Sequence, residues 1–157
     1  EGNLKSHLGV QQILWFEEGV AGDDTDGHID DIARFVNETT IAAVYEPNRR
    51  DENFKPLKRN WERLKKSRDP KGRPWNLVKL PMPGRVAAGS RRLPASYANF
   101  YIANGVVLLP VYKHRSDLRA KRILQELFPK REIAAIECTD LVYGLGSIHC
   151  VTQQEPL

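Results

Sequence analysis

Two stretches of this chain match each other without a gap. Moving Phe35-Val36-Asn37 forward by 67 positions lands on Ile102-Ala103-Asn104, and the same step carries Ile41 to Leu108, Val44 to Val111 and Tyr45 to Tyr112. Around each copy the apolar period changes in the same order. In the first, residues 28–36 lead into a strand, Asn37-Glu38 makes a tight turn, and Thr40–Tyr45 forms a second strand. Leu57, Trp61 and Leu64 then recur at helical spacing within a helix over 52–66, with basic residues on the opposite face, and Trp75–Leu80 returns as a strand. In the second, Phe100–Ala103 and Val106–Tyr112 flank Asn104-Gly105, a strong hairpin signal. Ser116 caps a helix over 117–128, striped by Ala120, Ile123, Leu124, Leu127 and Phe128; Pro129 stops it, and Glu132–Glu137 is a strand. The pattern predicts an α+β chain of two strand–strand–helix–strand units.

Repeated units bury their faces against neighbours, so a stable array is expected to hold three or more. Here the count is about two and a half: 28–80, 97–137, and 144–157 leading into another. The expectation is part of a closed array, open at both ends. Residues 3–9 read as the tail of a helix closed by Gly9, as though the chain starts inside something larger. Gln12–Phe16 reads as a strand, Glu17–Gly27 as a polar loop, and Pro81–Pro94 as a loop long enough for a functional role.

A length of 157 residues suffices for one domain with a real core. No apolar run approaches membrane-spanning length and no signal-peptide pattern opens the chain. Cys138 and Cys150 make neither a disulfide framework nor a zinc spacing, so a reducing, cytoplasmic setting is expected. Residues 49–73 hold 11 of the 24 basic side chains and 4 of the 20 acids. Without an aromatic platform or an RNA-binding signature, that segment reads as a solvated helix face, and no nucleic-acid or membrane partner is expected.

Two stretches carry chemistry. In Gly144–Thr152, glycines precede the β-branched residues Ile148, Val151 and Thr152, which favour a strand. That places the Cys150 thiol on a rigid element beside a glycine-lined space, a setting that a nucleophilic cysteine needs. An isolated cysteine is more often an inert small hydrophobe. In Asp23–Asp31, five acids surround His28. A calcium loop fails, since Gly27 at its sixth position leaves Ala33 at the twelfth, where a carboxylate is required. Asp23 and Asp24 read as solvated loop acids. His28 and Asp30, at i and i+2 of a strand, would share a face and serve as proton shuttle and cation anchor. By the same strand geometry His149 points away from Cys150, leaving His28 as the partner; His7 and His114 carry no constellation.

Three stretches together carry a resemblance: TDGHIDD, Ala95 to Gly105 (ASYANFYIANG), and GSIHCVTQQ near the C-terminus. They resemble the agmatine deiminase and bacterial peptidylarginine deiminase-like family, of the guanidino-group-modifying superfamily. The resemblance runs along the whole chain but covers only the C-terminal half of the family pattern. It implies a partial five-bladed α/β propeller (pentein) with no metal and no cofactor. Cys150 then corresponds to the nucleophile, His28 to the acid/base and Asp30 to the carboxylate gripping the guanidinium. Gly144 and Gly146 line the substrate. Leu145 stands where the family usually has Gly, Ser147 replaces a usual Asn, and Val106 replaces a usual second Gly.

The implied reaction converts a guanidine such as agmatine or arginine to a ureido product and ammonia through an amidino-cysteine, in polyamine or arginine metabolism. The implied partners are that small substrate and a missing N-terminal half or second chain that completes the fold. Leu145 and the absent upstream carboxylates favour a different reading, a degenerate, non-catalytic module for binding or assembly. Nothing here offers a peptide-cleavage signature.

Overall fold

The protein is described by a computed structural model covering residues 1–25 and 27–155; Asp26, inside the TDGHIDD stretch, lies outside them. After helix α1 (Gly2–Leu8), closed by Gly9 at φ 64°, come two units of one topology. The first holds β1 (Ala33–Phe35), β2 (Thr40–Tyr45), α2 (Phe54–Lys66) and β3 (Asn76–Pro81). A small hairpin of β4 (Ala87–Ala88) and β5 (Arg91–Arg92) fills the connecting loop. The second holds β6 (Tyr101–Ile102), β7 (Val106–Val111), α3 (Asp117–Leu127) and β8 (Glu132–Glu137). In each unit the first two strands are antiparallel and the crossover through the helix makes the last two parallel, giving sheets β1-β2-β3 and β6-β7-β8. The architecture is α+β, and no sheet among the described residues closes into a barrel.

The repeat shift holds for β2 on β7 but slips at the leading strands. Phe35 pairs with Ile41, whereas Leu108 pairs with Tyr101 rather than Ile102. The second hairpin is shorter by one residue. Gly105 at φ 80° permits its tight Asn-Gly turn.

One apolar cluster spans both units. Leu57 of α2, Leu80 of β3, Leu109 of β7 and Leu124 of α3 are fully buried together with Tyr97 and Phe100, which link the units. Each such side chain contributes roughly 1.5–3 kcal/mol on burial. A second cluster packs Ile32, Ala33, Ile41, Ala43 and Leu64 beneath Trp61 and Trp75. Much of the basic helix face is spoken for: Arg59 and Arg63 of α2 bond to Glu17 and Glu18. No helix among the described residues is long and apolar enough to cross a membrane.

Four sequence expectations need correction. Gln12–Phe16 forms no strand; it pairs with no strand among the described residues, and Leu14 and Phe16 instead pack on the second cluster. Ser116 precedes α3 but makes no side-chain cap. The Asp117 carboxylate instead ties down the segment before α3, accepting from the Tyr112 and His114 N–H groups at 3.1 and 2.9 Å. His28 does not lie on a strand, because Ile29–Asp31 is a 3₁₀ turn and β1 begins only at Ala33. Nor does Cys150: Leu141–Gly144 and His149–Val151 are 3₁₀ turns.

Candidate active site

The site forms where the lead-ins to the two units meet the C-terminal turn. Asp30 and Asp31 lie in the turn before β1, Asn99 lies just before β6, and His149 and Cys150 lie in the last 3₁₀ turn. Cys150 Sγ is 3.4 Å from Asp30 Oδ2, and its residue is exposed. His149 Nδ1 is 2.7 Å from the same Asp30 oxygen. The turn changes the strand argument about these neighbours: residues one apart on a tight helical turn can both reach a single carboxylate, so His149 belongs to the site.

Asn99, fully buried, holds these pieces together. Its Oδ1 accepts from His149 N–H at 2.9 Å and Cys150 N–H at 3.4 Å. Its Nδ2 lies 3.1 Å from Asp30 Oδ2, 2.9 Å from Asp31 Oδ1 and 3.1 Å from Cys150 Sγ. Sequence reading placed Asn99 in the resemblance but gave it no role. The available signal was a polar residue set among Tyr97, Ala98 and Phe100, since a buried amide must find partners.

His28 stands apart from this cluster. Its ring Nδ1 is 3.0 Å from Asp23 Oδ1 and its backbone N–H donates to Asp23 Oδ2 at 2.7 Å. Among the described residues it makes no hydrogen bond to Cys150 or Asp30. Asp23 is therefore no solvated loop acid, since its side chain is only 3% exposed and anchors His28. Asp23, Asp24 and His28 bring ligand-type atoms within 4.8 Å of one another, but both Asp23 oxygens already accept from Thr25 and His28.

The glycines differ in their roles. A Cβ at Gly146 would stand 2.8 Å from Cys150 Cβ and 2.9 Å from its Sγ, so the thiol occupies space that only glycine leaves. At Gly144 a Cβ meets nothing within 4 Å. Leu145 adopts φ 67°, a left-handed conformation, while packing partly on the core. Ser147 is buried, its hydroxyl 2.8 Å from the Tyr112 hydroxyl.

The charges are arranged unevenly. Burial works to raise the Asp30 carboxyl, but hydrogen bonds from His149 and Cys150 outweigh it and hold it below its usual range. Burial, reinforced by the Asp30 charge, pushes Asp31 up to about 7 despite the Asn99 hydrogen bond. Asp31 is 1% exposed and its Oδ2 has no hydrogen-bond partner among the described residues. Burial also pushes the Cys150 thiol up; Asn99 opposes this and the Asp30 charge adds to it. For His28, burial is outweighed by the charge and hydrogen bond of Asp23, and the imidazole is raised. Arg34, half-buried with Nη1 donating to Phe100 O at 2.7 Å, lies close enough to feel both Asp30 and Cys150.

A thiol beside a carboxylate that is held ionised is suited to a cationic carbon electrophile, and the comparisons with known proteins point the same way. The profile of the Porphyromonas-type peptidyl-arginine deiminases matches residues 1–156. The chain belongs to that family. It is similar to a candidate arginine deiminase from Porphyromonas gingivalis, 47% identical with a TM-score of 0.95 over 99% of this chain and 46% of that one. A structure of C. jejuni agmatine deiminase with substrate bound is 36% identical, with a TM-score of 0.86 over 94% of this chain and 43% of that one. The agmatine deiminase of Pseudomonas fluorescens is 35% identical over 99% of this chain and 47% of its own length. The resemblance read from TDGHIDD, ASYANFYIANG and GSIHCVTQQ is thus borne out at the level of the deiminase family. The chain spans about half the length of the curated relatives it matches.

Proposed function

We propose that this chain carries the nucleophile side of a guanidine deiminase acting on agmatine or an arginine-type substrate in the cytoplasm, within polyamine or arginine metabolism. The observation that carries the reading is the exposed Cys150 thiol 3.4 Å from the Asp30 carboxylate. Asp30 takes the planar cation through paired, charge-assisted hydrogen bonds, displacing the contact to His149. The cation placed there offsets the Asp30 charge that raises the thiol, so substrate binding itself favours thiolate.

Cys150 S⁻ attacks the guanidinium carbon, and the C=N electron pair moves onto nitrogen to give a tetrahedral adduct. His28, kept protonated more readily by Asp23, passes a proton to the leaving nitrogen, and ammonia departs as the C–N bond breaks. The amidino-thioether left on sulfur is attacked by water, which His28 deprotonates; the C–S bond breaks, freeing the thiolate and the ureido product. Splitting one hard hydrolysis into two steps is the gain from covalent catalysis.

In this reading the chain forms two blades and the start of a third within a pentein propeller. Further substrate carboxylates come from outside residues 1–157, in the same protein or a second chain. The test is ureido-product assay of the protein carrying this chain with agmatine and with arginine, alongside Cys150→Ser and Asp30→Asn. Product from the parent, none from Cys150→Ser, and kcat/KM lowered on the order of a hundredfold or more in Asp30→Asn are expected. Absence of product from the parent with either guanidine, and no mass adduct on Cys150, would leave a non-catalytic binding module instead.

A further inference from the structure

Asn99 has more acceptors than it can serve. Its amide has two N–H bonds, and three acceptors lie in reach: Asp31 Oδ1 at 2.9 Å, Asp30 Oδ2 at 3.1 Å and Cys150 Sγ at 3.1 Å. The orientation of the amide is fixed, because the backbone N–H groups of His149 and Cys150 both point at its other end and require oxygen there. Turning the amide over to relieve the competition would set N–H against N–H. Full burial removes water as an alternative partner. Three acceptors therefore share two hydrogens, so at least two of the contacts compete for one of them.

We infer that Asn99 is a catalytic residue, a shared donor whose second N–H is released from Asp30 to the Cys150 thiolate when a guanidinium cation occupies Asp30. This rests on the reading of Cys150 as nucleophile. Asp31 Oδ1, buried and nearest, keeps one N–H throughout. The other N–H faces a choice between a carboxylate and a sulfur. In the free site the ionised Asp30 competes for it, alongside the contact from His149. A cation on Asp30 supplies that carboxylate with donors of its own and makes it the poorer acceptor. The N–H then turns to sulfur without the Asn99 side chain leaving its place, since all three acceptors surround one nitrogen. The proton that leaves the thiol goes to solvent through the exposed Cys150 side of the site. Binding at the carboxylate and activation at the thiol become one event, and an empty site keeps its cysteine unreactive.

The experiment is a pH profile of Cys150 alkylation by iodoacetamide in the protein carrying this chain, as a double-mutant cycle. Asp30→Asn mimics the neutralised carboxylate. It is expected to move the profile to lower pH, by removing a charge and by freeing the donor. Asn99→Ala alone is expected to move it little, because the ionised Asp30 holds that N–H in the free site. In the Asp30→Asn background, Asn99→Ala should move the profile to higher pH by roughly one unit, about a tenfold loss in rate below the inflection, as a charge-assisted hydrogen bond would require. In the Asn99→Ala background, the downward shift from Asp30→Asn should shrink, because only the charge effect remains. Equal shifts in both backgrounds would overturn the shared-donor role.

Should Asn99→Ala fail to fold, the side-chain amide resonances of Asn99 in labelled parent protein give the same answer. They are expected to move with the thiol titration and to lose that inflection in Cys150→Ser; resonances indifferent to the thiol would overturn the inference. Alkylation and resonance shifts do not need turnover. A chain that behaves as described here yet forms no ureido product would sink the deiminase reading and leave Asn99's role intact.

Discussion

Replacing Asp31 with Asn is expected to stabilise the protein at neutral and alkaline pH and to destabilise it modestly at pH 4. The carboxyl is 1% exposed, one oxygen has no partner among the described residues, and burial with the adjacent Asp30 charge raises it from 3.8 to about 7. The folded state therefore holds this proton to higher pH than the unfolded chain does. Stability is lost as pH rises from about 4 to 7 and stays at the lower level above that. At roughly 1.4 kcal/mol per pH unit, the displacement corresponds to a ceiling of about 4 kcal/mol. The amide that replaces Oδ2 is itself buried, and an unmatched N–H₂ costs on the order of 1–3 kcal/mol, so a net gain of about 2 kcal/mol at pH 8 is the working expectation. The Asn99 contact survives, because an amide oxygen can still accept from Nδ2 at the Oδ1 position. Urea unfolding of parent and variant at pH 4, 6 and 8 reads the difference directly. The decisive feature is the slope rather than the size. Profiles that run parallel from pH 4 to 8, whatever their offset, would show that Asp31 does not titrate between the folded and unfolded states as argued.

Other perturbations read separate parts of the site. Asp23→Asn should lower the His28 pKa, since the charge and hydrogen bond that raise it are lost; an NMR titration of the imidazole checks this, and an unchanged midpoint refutes the pairing. By linkage, the His28–Asp23 contribution to stability is present at low pH and fades as pH rises through the raised His28 value, so Asp23→Asn should destabilise more at pH 5 than at pH 8. Gly146→Ala should displace the thiol, because its new methyl would sit 2.8–2.9 Å from Cys150 Cβ and Sγ; alkylation of Cys150 at least tenfold changed in rate is expected, against little effect from Gly144→Ala, whose methyl meets open space.

The elements that bury an apolar stripe were legible almost to the residue. The helix read at 52–66 is Phe54–Lys66, the one read at 117–128 is Asp117–Leu127, and Glu132–Glu137 is unchanged. Periodicity reports burial, and burial holds these elements. The site was legible in its residue types but not in its backbone. Ile29, Ile148, Val151 and Thr152 bias the local sequence toward strand, yet both segments coil into 3₁₀ turns. What decides them is tertiary: the His149 N–H is captured by Asn99, and Ser96 Oγ donates to the Asp31 carbonyl at 2.7 Å. No window of local sequence contains a partner 50 or 65 residues away. The misplacement of His149 follows from assuming a strand where the chain turns, and Asp23 reads as solvated when its partner His28 is assigned to a strand rather than to the loop.

The hydrogen bonds that define the site span very different stretches of chain: 69 residues from Asp30 to Asn99, 51 from Asn99 to Cys150, and 120 from Asp30 to Cys150. Each ββαβ unit, by contrast, closes on itself within about fifty residues. Loop-closure entropy delays contacts of long separation until shorter ones have formed. The units are expected to form as local pieces first, and the candidate site is assembled only when they dock. In a nascent or partly unfolded chain Cys150 lacks its Asn99 and Asp30 partners, which only the docked units supply.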